Sequence, residues 1–565
     1  MKILRIGLNV LFLLFSAWLH GQTASFSWVQ TTGGSSNDQG TNVITDAQGN
    51  VYVTGHFRDT IDLNGSAPGG ILAPVDQADV FLAKFDSSGQ LLHVLPLSGQ
   101  GNQFAASLNL DSSGRIVITG EFDEYVDFDP GPANAYLYPT GFTNIFFACY
   151  DTALNYQWAK RIGGNFLSRP NDLAIDPNGD ILLLGTFFNT CDFDPSPAVV
   201  NLTSSFNTMF IGRYDANGNY LNVISFYDSI VGASIDVSAQ SEIFVAGQFT
   251  GVADFDPSPL DSVNLIASVS LTDVFIAKYT SAGNYIWAKQ INGPGSEYAT
   301  SLKKGPAGIY VSGYFNDTVD FDPGPGIHMG DGSGINAFVG CYDTSGALVW
   351  VNTMGYTGTD QIFSLDIAPD GAVCVAGRFY MMCDVDPSVA VVNLNALQYA
   401  FFAVGYDPGS GDYLWSIAPE NSTESGAQEI SVSKTGAILL TGQFSYAIDF
   451  DPDTGSANAF SQPFSDDIFA AKYLLNQLNG ISEFSEPEVQ IYPNPTTGNL
   501  VVAPGKMFSE VNVKVCDAEG RCISTRNYFN SPQIEINIEG DPGTYFISLQ
   551  SDGHPIRTIR VIKCD

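Results

Sequence analysis

Basic residues are scarce in this chain: 23 Lys and Arg stand against 59 Asp and Glu in 565 residues, a formal net charge of −36. Such a balance repels phosphate backbones and anionic lipid surfaces, so nucleic acid is a poor partner. Histidine is scarcer still. His20 sits near the N-terminus, and His56, His93, His328 and His554 are scattered without metal-ligand spacing or a nucleophile motif around them. No G-x-S-x-G, phosphate-cradling glycine loop or paired-cysteine zinc pattern occurs, so no catalytic residue is assigned. Long apolar runs are missing beyond Ile6 to Leu19, which is too short to span a membrane. Behind Lys2 and Arg5 and before His20-Gly21-Gln22, that run predicts a signal peptide over residues 1–21. The eight cysteines are too dispersed for a stapled scaffold. Cys149 and Cys341 share one repeat position, and Cys191 and Cys383 another, so they read as small buried hydrophobes. Cys516 and Cys522 flank a short turn and are a candidate disulfide.

What is abundant is repetition. A glycine, any residue and an aromatic recur at Gly55, Gly120, Gly185, Gly247, Gly313, Gly377 and Gly442, 62–66 residues apart. Seven residues after each glycine stands an aspartate, in six copies opening a D-F-D-P-like turn: Asp127 and Asp129, Asp192 and Asp194, Asp254 and Asp256, Asp320 and Asp322, Asp384 and Asp386, Asp449 and Asp451. Copy 1 has Asp62-Leu63-Asn64 instead. This is an internal repeat, and each copy carries four β-rich or alternating segments, the fourth typically with a tryptophan. The segments at His93 and Val223 lack that tryptophan.

Four strands per copy predict an all-β fold, a seven-bladed β-propeller over residues 26–478. The ends fit closure. The seventh copy stops after its third strand, and the missing tryptophan strand, Phe26-Ser27-Trp28-Val29-Gln30, precedes the first copy. An N-terminal strand completing the last blade would remove its open edge. Trp28, Gly33-Gly34, Gly49-Asn50-Val51-Tyr52-Val53-Thr54-Gly55 and Asp79-Val80-Phe81-Leu82-Ala83-Lys84 resemble the bacterial β-propeller repeat family with SBBP-like repeats. That resemblance implies a fold and no particular function.

After a linker at 479–488 the grammar changes. Residues 489–565 alternate with a two-residue period between Gly and Pro turns, predicting a small antiparallel β-sandwich. Tyr492-Pro493-Asn494-Pro495-Thr496-Thr497-Gly498, Asp517-Ala518-Glu519-Gly520, Gly543-Thr544-Tyr545-Phe546 and the terminal strand with Lys563 resemble the C-terminal sorting domain of type IX secretion, the Por secretion tail. The resemblance implies recognition by the secretion machinery and passage to the outer-membrane surface or exterior of a Gram-negative bacterium. It also implies removal of the tail, with the cargo released or attached to surface lipopolysaccharide.

Two candidate sites follow. The paired carboxylates of the D-F-D-P turns point to one side of an extended backbone and could share calcium, or they could act as turn formers through their own backbone hydrogen bonds. Ligand residues on a near-symmetric ring should come from positions where the copies differ. Just ahead of the innermost strand, Asp38, Glu297 and Asp360 are the acidic members of such a position, and they predict a negative field at the channel mouth. The expected role is a surface or secreted binding module for an extracellular protein or glycan; the alternative is a propeller enzyme acting on polysaccharide or another polymer.

Overall fold

The structure, a computed structural model, describes residues 23–63, then 70–476 apart from 130, 132, 227, 268–270, 357, 420–421 and 453–454, then 490–564 apart from 493–495, 504–509, 518–520, 530–532 and 552–553. Among these residues there are strands, turns and bends but no helix, and so no helix long and apolar enough to cross a membrane. The expected signal peptide lies outside them. The chain divides into two compact units, residues 1–478 and 479–565.

In the first unit the repeat builds seven antiparallel four-stranded sheets, here numbered 1 to 7. Their first strands are Gln39–Thr45, Gln103–Leu110, Ser168–Ile175, Ile230–Val237, Glu297–Lys304, Gln361–Ile367 and Glu424–Val432. Each pairs with the strand carrying the repeat glycine, which pairs with a third, which pairs with a fourth. Sheets 2 and 3 are further joined edgewise by the short ladder of Asp192–Cys191 on Gly163 and Gly164, and the turn strand Val126–Asp127 adds to the edge of sheet 1 at Ser98 and Gly99. The segments lacking tryptophan form fourth strands all the same, Leu91–Gly99 and Tyr220–Ser225.

Sheet 7 takes its fourth strand from the N-terminus: Thr23–Thr32 pairs antiparallel with Asp467–Asn476. Burial follows the same pairing. Seven apolar clusters among the described residues each lie between two consecutive sheets, and the one holding Trp28, Leu439 and Ile468 with Val53 and Phe81 joins sheet 7 to sheet 1. Val, Ile, Phe and Tyr dominate the second and third strands because both of their faces are covered.

The repeat glycine has a steric reason. A Cβ on any of the seven would sit 1.9–2.4 Å from the carbonyl oxygen of the paired first strand, so only glycine allows the approach. Beside it, every first strand carries a bulge, at Thr41, Ala106, Asn171, Ala233, Thr300, Phe363 and Gln428. The extra residue re-aims the strand and turns one more side chain toward the axis.

The second compact unit has a three-stranded sheet, Gln490–Tyr492, Asn499–Ala503 and Ile534–Asn537, and a four-stranded sheet ordered Cys522–Phe529, Glu510–Asp517, Gly543–Ser551, His554–Lys563. One apolar cluster unites them, with Leu500, Val502 and Ile536 from the first and Val513, Ile547 and Val561 from the second. The Lys563 ammonium donates to the carbonyl oxygen of Ile538 at 3.0 Å.

Candidate functional site

The first strands of all seven sheets line a central cavity of about 680 Å³. Their shared register puts Asn42, Ser107, Asp172, Ser234, Ser301, Ser364 and Glu429 at one level, and Ile44, Asn109, Ala174, Asp236, Lys303, Asp366 and Ser431 two residues further on. Oxygens at these levels stitch neighbouring sheets together. Asp172 accepts from the Ser107 hydroxyl at 2.8 Å and, with its other oxygen, from Ile235 N–H at 3.0 Å. Asp236 accepts from Lys304 N–H and Asp366 from Val432 N–H, both at 2.7 Å.

Lys303 stands half-buried amid these acids. Burial pushes its ammonium down, but the carboxylates of Asp236, Asp366, Asp172 and Glu429 outweigh that and hold it above its ordinary value. Burial pushes Glu429 up to about 8 against the pull of Lys303. One cation from sheet 5 thus serves acids from sheets 3, 4, 6 and 7. The sequence signal was available: in the aligned column from Ile44 to Ser431, Lys303 is the only basic residue.

Asp38, Glu297 and Asp360 are not at the channel. All three are buried, at 1%, 0% and 0% exposure, and none lines the central cavity. Asp38 accepts backbone N–H groups from Gly34 and Arg58 at 3.0 and 2.9 Å. Asp360 accepts those of Tyr356 and Tyr380 at 3.3 and 3.0 Å. Burial raises both to about 6. Burial, with Asp273 and Asp317 adding, pushes Glu297 up to about 8. The expected negative rim is therefore corrected: Asp38 and Asp360 clip loops through these bonds, and Glu297 is buried near Asp273 and Asp317, so none of the three presents its charge to the axis.

In the D-F-D-P turns, one oxygen of each first aspartate accepts two backbone N–H groups. Asp127 takes those of Asp129 and Ala135, Asp254 those of Asp256 and Val263, Asp449 those of Asp451 and Ala457, and Asp192, Asp320 and Asp384 repeat the pattern. The second aspartates Asp129, Asp194, Asp256, Asp322 and Asp386 each accept one more, two residues on. This is the geometry of a turn former, and the described residues hold no group of three or more His, Cys, Asp or Glu placed to bind a metal. Cys516 and Cys522 are cross-strand partners, both as free thiols.

The residue left unspecified in each repeat phrase proves informative. His56, Glu121, Thr186, Gln248, Tyr314, Arg378 and Gln443 are each partly exposed between two buried neighbours, in all seven second strands. Opposite them stand Gln39, Phe104, Arg169, Val231, Tyr298, Gln361 and Gly426. Between sheets 2, 3 and 4 these residues border a recess of about 390 Å³ that shares Ala105, Ala106 and Asn171 with the central cavity. Arg169 and Glu121 pair there at 2.9 Å. His56 is neutral, pushed down to about 4 by burial and then by Arg58.

Among known proteins, a WD repeat-containing protein of Acanthamoeba polyphaga mimivirus, L264, is 22% identical over 80% of this chain and 38% of its own length. The regulatory protein FlaEY of Caulobacter vibrioides is 28% identical over 25% of this chain and 15% of its own. The chain thus spans well under half of either relative. The extracellular domain of BT4673 from B. thetaiotaomicron aligns over 93% of this chain and 80% of its own at 11% identity, with a TM-score of 0.19. Residues 490–563 match the secretion system C-terminal sorting domain, which indicates export by type IX secretion to the cell surface or beyond.

Proposed function

We propose that the seven sheets are the blades of a β-propeller with SBBP-like repeats and that the exported chain acts as a binding module, taking its ligand at the rim of the axial cavity. The observation that carries this is the open column from His56 to Gln443. It is flanked by glycine and phenylalanine in every copy, yet no two adjacent copies share a residue there. Positions that serve the fold repeat; positions free to differ while facing solvent beside a cavity are where recognition is built. Export by the sorting domain supports a ligand met outside the cell, an extracellular protein or glycan.

The test is a retention and turnover screen of the full chain against extracellular polysaccharides and proteins. A retained, chemically unchanged ligand, lost on Arg378→Ala with an unchanged melting temperature, is the expected result. Release of shortened product would overturn the binding-module reading in favour of the enzyme.

A further inference from the structure

The rim is not uniform: sheets 5 and 6 concentrate aromatic surface on it. Tyr298 and Tyr314 are cross-strand partners and stack with ring centroids 5.0 Å apart at an interplanar angle of 25°. In sheet 6 the Arg378 guanidinium lies 5.7 Å from the Phe363 ring centroid and 5.0 Å from that of Tyr399. Its Nε and Nη2 both donate to the Gln361 side-chain oxygen, at 3.1 and 3.0 Å. The first strand of sheet 6, which carries Phe363, packs against both the first and the second strand of sheet 5, which carry Tyr298 and Tyr314, so the two groups lie on neighbouring sheets. Tyr298, Tyr314, Phe363, Arg378 and Tyr399 are all half-buried, so each keeps part of its surface in solvent.

A second observation lies beside the first. Gln248, at the same rim position in sheet 4, has a buried side-chain oxygen without a hydrogen-bond partner among the described residues, and so do Asn42 and Asn171 on the axis. Buried polar atoms are nearly always partnered in folded proteins. Asn42 and Asn171 both line the axial cavity, where the hydroxyls of a polar ligand would supply the missing partners.

We propose that Tyr298, Tyr314, Phe363, Arg378 and Tyr399 form a platform for a neutral polysaccharide. This rests on the reading of the rim as the ligand face and names its ligand class. The C–H face of a pyranose ring is apolar and faintly positive, and it suits the negative face of an aromatic ring. Sugar hydroxyls both donate and accept, which suits amides and a guanidinium. Charge sets the rest: at −36 the chain repels acidic polymers at long range, and the one cation of the platform is already stacked and hydrogen-bonded.

Native electrophoresis of the full chain through gels containing laminarin, dextran or hydroxyethylcellulose, with alginate as the acidic control, tests this. Retardation by a neutral polymer but not by alginate is expected. The Tyr298→Ala/Tyr314→Ala double variant should weaken it at least tenfold, while Tyr314→Phe, which keeps the ring, should preserve it. No retardation by any neutral polymer, stronger retardation by alginate, or full retardation of the double variant would overturn the assignment. Rim-dependent retention of a protein without any glycan retardation would also overturn it, yet leave the binding-module reading standing. A shortened polymer would overturn both.

Discussion

The indole Nε1 of Trp28 donates to the carbonyl oxygen of Ser87 at 3.2 Å. Trp28 lies on the fourth strand of sheet 7, supplied by the N-terminus, and Ser87 belongs to a turn of sheet 1, so one hydrogen bond crosses the seam. The ring also covers Gly89, where a Cβ would come within 2.6 Å of it. Trp158 covers Gly218, Trp287 covers Gly346 and Trp350 covers Gly411 in the same way, from each sheet to the next. Where His93 replaces the tryptophan, the facing turn carries Leu154 instead of glycine, buried at φ +62°.

The junction of sheets 7 and 1 therefore depends on Trp28. Trp28→Ala should cost about 3 kcal/mol through lost burial and packing, and deleting Phe26 to Gln30 should cost more, by also baring the edge of the Asp467–Asn476 strand. Thermal melts against an equal deletion in the 479–488 linker provide the check. Equal melting temperatures would refute the seam.

The turn reading has its own test in Tyr279. Its buried hydroxyl donates to the Phe255 carbonyl oxygen at 3.2 Å, and Tyr150, Tyr214, Tyr342, Tyr406 and Tyr473 do likewise in their copies. Copy 1 has Phe85 there and lacks the D-F-D-P turn, so the two features travel together. Tyr279→Phe should cost about 1 kcal/mol, and Asp254→Ala, which strands two N–H groups, about 2 kcal/mol. Chelator should leave the melting temperature unchanged, since one oxygen of each first aspartate is already engaged. A calcium-dependent rise would show a bound cation instead.

The contrast between these elements and the candidate site shows what sequence can carry. The repeat period, the strand content and the return of the N-terminal strand to sheet 7 follow from spacing and phase, which are one-dimensional. The direction of a side chain at a strand entry is not, and Asp38 and Asp360 turn into loops because unpaired N–H groups wait there. Lys303 stands out in its aligned column as the one basic residue, but its four acids come from four other copies, and only the shared bulge brings their columns to one axis. The rim residues sit inside the repeat phrase, at the one position that the phrase leaves free to vary.

Lys303 should matter to stability more than a surface lysine. Lys303→Met removes the shared counter-charge and leaves Asp172, Asp236, Asp366 and Glu429 to repel one another, a loss of about 3 kcal/mol. The penalty should shrink at pH 5, where Glu429, raised to about 8 in the folded chain, is protonated. Melts of wild type and variant at pH 5 and 8.5 measure it; a pH-independent difference would count against charge as the cause.

The buried acids at the strand entries give the chain a definite pH slope. Glu297 is raised to about 8, Asp467 to about 7 by burial and Asp38, and Asp38 and Asp360 to about 6. The folded state therefore holds protons that the unfolded chain releases from about pH 4 upward, and stability falls as pH rises from there toward 8. Carboxylates held low by turn hydrogen bonds, such as Asp86 beside Ser88, act in the opposite sense but only below about pH 4. The melting temperature should decline between pH 5 and 8.5. Glu297→Gln should raise it by several degrees at pH 8.5 and barely at pH 5, and a flat wild-type profile would contradict the burial of these groups.

Sorting supplies the last expectation. The second compact unit holds its own apolar cluster, from Leu500 to Val561, and its match to the sorting domain covers nearly all of it, residues 490–563. Its terminal strand is pinned at Thr496, which donates its N–H to the Ile562 carbonyl oxygen and accepts the Cys564 N–H, each at 2.8 Å. Deleting residues 489–565 takes nothing from the seven clusters between the sheets, so the remaining chain should fold with an unchanged melting temperature. Lacking the signal that the secretion machinery reads, it should accumulate in the periplasm. Fractionation of cells expressing the full and shortened chains measures this, and normal surface or extracellular appearance of the shortened chain would show that export does not depend on this segment.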